Sequence, residues 1–331
     1  MTAPHRVPRP GEGRPEPGRR RAGDTVFRWL TTGSAASIIA ILAGVTVFLI
    51  VTALPALTAD WRTAPALAGG TTGGVGSFWR YVAPLLWGTA WSSLLALILG
   101  TPVALGIALY VSHYAPRPLR RGLGYLIDLL AAVPSVVFGL WGIFVLRPAI
   151  LPLQDWLNHN LSWIPLFAGP VSKTGSTMLA AAIILAVMII PIISSIAREI
   201  FAQTPRLHEE AALALGATRW EMIRLAVLPQ ARRGIVSATL LGLGRALGET
   251  MAVALILSPS LLFSVKILTD TANPQTVAAN LALNFPESTP LQRDALIATG
   301  LVLFIISFAV NALGRLVAGR AETGRRKRGA A

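Results

Sequence analysis

The chain has 331 residues and a formal net charge of +14, yet only 13% of its residues are charged while 53% are apolar. Soluble domains carry about 25% charged residues, so an ordinary water-soluble globule is excluded; the absence of cysteine removes disulfide frameworks, thiolate metal sites and cysteine nucleophiles. A basic excess of this size would suit a nucleic-acid binder, but the basic residues are divided among long apolar runs and fall on one side of them, which argues against nucleic acid.

Met1–Arg28 is rich in Pro, Gly and Arg with almost no apolar side chains, too little to offset the entropy of folding. Residues 1–33 are therefore expected to form a disordered basic tail. The apolar stretch that follows outruns the roughly 7–15 residues of a signal-peptide core and is closed by no convincing A-x-A site, so it reads as an uncleaved first span. Runs long enough to cross a roughly 30 Å hydrocarbon core, which takes about 20 helical residues, lie at Ser34–Leu57, Trp87–Val111, Leu123–Leu146, Thr177–Ile196, Ile235–Leu257 and Leu296–Leu316. Each is continuously apolar rather than alternating, which favours helices over a barrel because a helix satisfies its own backbone. The expectation is an all-α integral membrane protein with six spans over residues 34–316 and a second basic tail at 317–331.

Lysine and arginine gather before the first span, between spans two and three, between four and five, and after the sixth. By the positive-inside rule both termini are expected in the cytoplasm of a cell whose membrane this chain crosses many times. The loops predicted outside, Asp60–Pro84, Pro148–Gly175 and Pro259–Pro290, are longer than turns require. They suit a docking surface for a soluble protein, while Trp61, Trp79, Trp87, Trp156 and Trp163 equally suit ordinary interfacial anchors.

Within the third run, Pro134-Ser135 removes a backbone hydrogen bond and exposes carbonyls. A packing kink explains this, and so does a place on a pathway where the Ser135 hydroxyl donates to an oxyanion. Asp128 nearby calls for an arginine partner. Between the fourth and fifth runs stands Glu210-Ala211-Ala212-Leu213-Ala214-Leu215-Gly216, followed at a fixed spacing by Leu228-Pro229. The fifth run holds Arg245 and Glu249, and an unpaired charge at mid-membrane costs about 2.5–3.5 kcal/mol on insertion scales. Their i,i+4 spacing allows a structural ion pair. Alternatively Arg245 offers its guanidinium fork to a passing oxyanion, with Glu249 holding it when the path is empty. Gly244 and Gly248, like Gly100 and Ala104, are spaced for close helix packing, a better reading than a dinucleotide site, which needs a preceding strand. The four histidines, His5, His113, His159 and His208, show no metal-ligand spacing. No G-x-x-x-x-G-K-S/T loop is present, so any driving ATP, with its Mg, is expected on another chain.

The segment from Glu210 to Pro229 resembles the EAA motif, E-A-A-x3-G-x9-I-x-L-P, of ABC importer permeases, with Ala226 where the pattern has Ile. Ala132 to Gly142 resembles the P-S-V-V-Y/F-G-L-W-G segment, and Leu241 to Val253 the post-coupling segment, of PstC-type permeases of phosphate-specific ABC importers. The resemblance runs from about Ser34 to Arg315. It implies a type I importer permease fold with a cytoplasmic coupling segment at 206–229, in which Glu210, Ala211, Ala212, Gly216, Leu228 and Pro229 engage the ATPase. It further implies a PstA-type second permease, a pair of ATPase subunits that bind ATP and Mg, and an extracytoplasmic phosphate-binding protein. In this framework the substrate pathway includes Arg245, Glu249 and Ser135, and the chain is not itself an enzyme. A permease for molybdate, sulfate or a phosphonate has the same architecture. A secondary transporter or channel, with Glu249 as a proton-coupling group, has no use for a coupling segment.

Overall fold

A computed structural model describes the backbone of residues 22–59 and 77–328, and side chains over 26–59 and 77–316. The predicted 1–33 tail is therefore outside the described residues up to position 21. From Ala22 onward the chain is helical, so the latter part of that tail is helix rather than coil. Trp61 and most of the loop after the first span also lie outside the described residues. Among the described residues the regular structure is all helix; Ser260 and Pro274 form an isolated β-bridge.

Among the described residues twelve α-helices follow in order. They are α1 (Ala22–Thr58), α2 (Phe78–Leu109), α3 (Arg117–Ala131), α4 (Ser135–Trp141), α5 (Arg147–Leu161), α6 (Met178–Ala202), α7 (Arg206–Ala214), α8 (Arg219–Met222), α9 (Leu228–Leu247), α10 (Met251–Ile256), α11 (Val277–Asn284) and α12 (Pro290–Arg328). Single π-helical turns carry α2 on through Tyr110–Tyr114, join α4 to α5 through Gly142–Leu146, and join α8 to α9 through Ile223–Val227. The backbone of α12 stays helical to Arg328, where a basic tail was expected.

The described residues up to Phe48 form one compact unit and those from Leu49 a second. In the first, apolar side chains such as Phe27, Trp29, Ile39 and Phe48 are exposed, as suits a helix whose solvent is lipid. The second is organised around α6. Thr177 caps this helix by accepting from the Ala180 N–H at 3.3 Å. Its buried residues include Ala180, Leu185, Ile189, Ile193, Ala197 and Phe201. α2 presents to it a run of small residues, Ser92, Ser93, Ala96, Gly100, Ala104 and Ala108, all buried. At Gly100 an added Cβ would stand 3.1 Å from Ile189 Cγ1 and 3.2 Å from the Ala186 carbonyl. The expected small-residue packing at Gly100 and Ala104 is thus present. α9 reaches the same helix through Gly242, where a Cβ would lie 2.7 Å from Ile193 Cδ1. The expected packing at Gly244 and Gly248 is absent, since Gly244 has nothing within 4 Å.

Among the described residues five helical stretches are long and apolar enough to cross a bilayer, Val26–Thr58, Phe78–Tyr114, Ser135–Leu161, Met178–Ala202 and Pro290–Leu316. Two of the six sequence-based spans change. The third begins at Ser135, because Pro134 lacks an N–H and biases Val133 away from helix; α3 before it is an amphipathic helix with three arginines in its first turns. The fifth run is broken between α9 and α10 at Gly248–Thr250.

At the end of the bundle remote from α7, the loops between α5 and α6 and between α10 and α11 bind one another. Ser172 N–H donates to the Leu268 carbonyl at 2.9 Å, Leu179 N–H to Ile267 at 3.0 Å, and Asn273 Nδ2 to the Ser176 carbonyl at 2.8 Å. Gln154 Nε2 donates to Thr177 Oγ1 at 2.8 Å, and Asn280 Nδ2 to the Tyr81 hydroxyl at 2.7 Å. Trp87 belongs to this lattice through the Ser264 carbonyl, 2.8 Å from Nε1. Trp79, Trp156 and Trp163 are exposed, as interfacial anchors are.

Replacing Gly100 with Leu forces α2 and α6 apart. The expected cost is about 1–3 kcal/mol, read as a lower thermal midpoint of the detergent-solubilised chain, whereas Gly244→Ala does not lower that midpoint.

Candidate functional site

α7 begins after Pro205, whose missing N–H costs nothing at a helix start. It ends in a Schellman turn: Gly216 N–H donates to the Leu213 carbonyl at 3.0 Å and Ala217 N–H to the Ala212 carbonyl at 3.2 Å. Gly216 takes φ +85°, a conformation open to glycine and strained for other residues. Thr218 and Glu221 then form a capping box for α8, the carboxylate accepting from the Thr218 N–H at 2.8 Å and the Thr218 hydroxyl receiving the Glu221 N–H at 3.3 Å.

The E-A-A residues divide between the two faces of α7. Leu207, Glu210, Ala211, Ala214 and Leu215 share an exposed face, with Leu207 73% and Leu215 89% exposed. Ala212 turns inward onto the cluster of Phe201, Met222, Ile223 and Val227, and Leu228 packs on the same cluster. Pro229 stands in the first turn of α9, just after the π turn that carries α8 into it, a position that tolerates a residue without an N–H. Ala226, in place of the usual Ile, is half-buried in the preceding π turn.

Glu209, not Glu210, ties α7 to the span ends. Its carboxylate lies 3.6 Å from Nε2 of His113 at the end of α2, and the other ring nitrogen of His113 is 2.7 Å from the Ser112 hydroxyl. Sequence reasoning passed over this pair, since neither residue belongs to a motif. Asp128 finds its arginine in Arg198, 3.5 Å away, and also accepts from the Ser195 hydroxyl at 2.9 Å.

The broken fifth span carries the other candidate residues. The helix ends at Leu247 and Gly248 caps it, so the i,i+4 relation of Arg245 to Glu249 lapses and the two form no salt bridge. Glu249 is 6% exposed and accepts the Ala252 N–H at 3.2 Å, capping α10. Arg245 is exposed, on a face of α9 with Ser237, Leu241, Gly244 and Gly248 that none of the described residues covers.

α4 runs beside α10. At Gly139 a Cβ would lie 2.8 Å from Leu255 Cδ1 and 3.1 Å from Ala252 Cα, and Gly142 abuts Ile256. Residue numbers rise together along this contact, so the helices are parallel and Ser135 starts α4 at the level where Glu249 and Thr250 start α10. Ser135 and Glu249 are thus brought to one level, with Arg245 a turn earlier on α9. Arg147, between the predicted third span and the loop that starts at Pro148, follows the π turn after α4 and donates from Nη2 to the Ile256 carbonyl at 3.1 Å. A cation there complements the C-terminal end of α10.

The sequence pattern of the binding-protein-dependent transport system inner membrane component family matches residues 100–323. The chain belongs to that family. Among this permease's relatives is the "Phosphate transport system permease protein PstC 2" of Mycobacterium tuberculosis, 45% identical over 302 residues, covering 90% of this chain and 93% of the relative. The "Phosphate transport system permease protein PstC" of Xylella fastidiosa is 43% identical over 237 residues, covering 70% and 72%. A solved bacterial ABC transporter involved in the import of the acidic polysaccharide alginate aligns with TM-score 0.55 over 88% of this chain and 98% of its own, at 14% identity. That likeness is one of fold. The chain is a multi-pass membrane permease of the ABC importer type, as its motifs led one to expect.

Gly216→Ala should destabilise the end of α7 by about 1–2 kcal/mol, the cost of a left-handed conformation with a Cβ, seen as faster amide exchange at Gly216 and Ala217. The Thr218 N–H and hydroxyl hold the Glu221 carboxyl below its usual pKa of 4.5. A depressed carboxylate stabilises above the unfolded pKa, so protection at Glu221 is expected to persist at neutral pH and to fade as pH falls through the folded value; Glu221→Gln removes that pH dependence.

Proposed function

We propose that this chain is the permease subunit that conducts inorganic phosphate through an ATP-driven importer into the cytoplasm. The observation that carries this reading is its 43–45% identity, over most of its length, to permeases named for phosphate transport. Those names favour phosphate over molybdate, sulfate or a phosphonate, and the coupling segment speaks against a channel or proton-coupled carrier. Both termini lie in the cytoplasm, and residues 34–316 make up the permease core between two basic ends. A PstA-type permease completes the path, an ATPase pair binds ATP and Mg, and a phosphate-binding protein delivers substrate at the end opposite α7. No nucleotide chemistry resides in this chain.

The exposed face of α7 supplies the contact with the ATPase. Leu207, Ala211 and Leu215 give it an apolar ridge, Glu210 adds a carboxylate, and Leu228-Pro229 starts the helix that transmits its movement. Arg245 is the anion-facing group, on the uncovered face of α9 where a second permease would close the path. A guanidinium suits phosphate because it stays charged and offers paired donors. Glu249, occupied in capping α10, and Ser135, at the start of α4, border the same level. Their part in the reading is to shape the break and to offer a hydroxyl donor.

Phosphate uptake by vesicles carrying the assembled transporter tests this. Arg245→Ala should lower uptake tenfold or more, on the order of the 1.5–3 kcal/mol of a charged hydrogen bond, while ATP hydrolysis and assembly persist. Uptake at the wild-type rate would place the anion on other groups and make Arg245 structural.

A further inference from the structure

A cavity of about 530 Å3 opens beside α7, between the ends of α2 and α6 and the starts of α3 and α8. Four arginines line it, Arg120, Arg198, Arg206 and Arg219, from four different elements. Its carboxylates are Glu199 and Glu209. Glu209 is engaged with His113, and Arg198 with Asp128 outside the cavity. Arg120, Arg206 and Arg219 form no salt bridge among the described residues. Positive charge therefore exceeds negative in a partly enclosed space where field lines concentrate.

A second observation points to a missing ligand. Thr204 also lines the cavity, is 6% exposed, and its hydroxyl has no hydrogen-bond partner. A buried hydroxyl left unsatisfied is costly, and a hydroxyl in a cavity also lined by guanidinium groups completes a donor set that phosphate-type oxygens take. The opposite choice of ligand, a cation, is disfavoured by the arginines.

We propose that this cavity binds a phosphate-type oxyanion through Arg120, Arg206, Arg219 and the Thr204 hydroxyl. The site is separate from Arg245, lies at the α7 end of the bundle, and joins α7 through Arg206 to the span ends through Thr204 and Arg120. An occupied cavity holds α7 to the body of the permease. The ligand comes either from the water as inorganic phosphate or from the membrane surface as the headgroup of an anionic phospholipid. Both present the same oxygens.

The test uses the full-length chain in nanodiscs and its thermal midpoint. One arm adds inorganic phosphate against chloride of equal ionic strength to phosphatidylcholine discs. The other replaces part of the phosphatidylcholine with phosphatidylglycerol, without phosphate. The midpoint should rise in one arm or both, which identifies the source. Apparent affinity should fall about tenfold or more in Arg120→Gln/Arg219→Gln, the loss equivalent to about one charged hydrogen bond, and should fall in Thr204→Val. The Arg120→Gln/Arg219→Gln and Thr204→Val variants are made and read in an Arg245→Ala background, which should keep the response and removes the transport path from the reading. The proposal is overturned by a wild-type midpoint that neither addition raises. It is also overturned if the response survives in the arginine double variant or is lost in Arg245→Ala alone. Should the double variant fail to give monodisperse protein, Thr204→Val decides, because it deletes one hydroxyl at nearly constant volume.

Discussion

The close approach of α2 and α6 is the constraint on which the remaining architecture rests. In a bilayer no hydrophobic force drives apolar helices together, so the gain must come from contact at short range, which small residues permit. Ser93, Ala96, Gly100 and Ala104 supply it, and α6 answers with Ile189 and Ala186. Once these two helices are joined, α9 can lay Gly242 against Ile193, and α4 and α10 can settle on the flank through Gly142, Ile184 and Ile256. A side chain larger than a methyl on the first seam would displace all of them.

The two ends of the bundle are built on different principles. Away from α7, buried polar groups such as Gln154, Thr177, Asn273 and Asn280 are linked into a lattice of loops, which keeps irregular backbone satisfied where water is scarce. At the α7 end the contacts are longer and more ionic, as between His113 and Glu209 or Arg198 and Asp128. Such contacts are easily exchanged, while a hydrogen-bonded loop lattice is not.

Much of this was legible in the residues. Hydropathy located the runs that became α1, α2, α6 and α12, because continuous apolarity over that length has few alternatives. The third span shifted because a hydropathy window averages over Pro134 and cannot separate an amphipathic α3 from an apolar α4. Arg245 and Glu249 shared a face only while the helix was assumed continuous; Gly248 ends it, and Glu249 turns to the backbone of α10. Arg147 escaped notice because it stands beyond the apolar run, and the pairing of His113 with Glu209 depends on a tertiary meeting that no local pattern encodes.

The interruption at Gly248–Thr250 divides the fifth span into two bodies with different attachments. α9 continues back through one π turn into α8 and, past the Gly216 turn, to α7. α10 is fastened sideways to α4 by the Gly139 contact and endwise by Arg147. Under the proposed coupling, a displacement of α7 would pass along α9 and meet this joint before it reached α10. The joint is three residues long, flanked by Arg245 on the α9 side and by Ser135 and the base of α10 on the other, so the break in the helix and its charged groups occupy the same short stretch of chain.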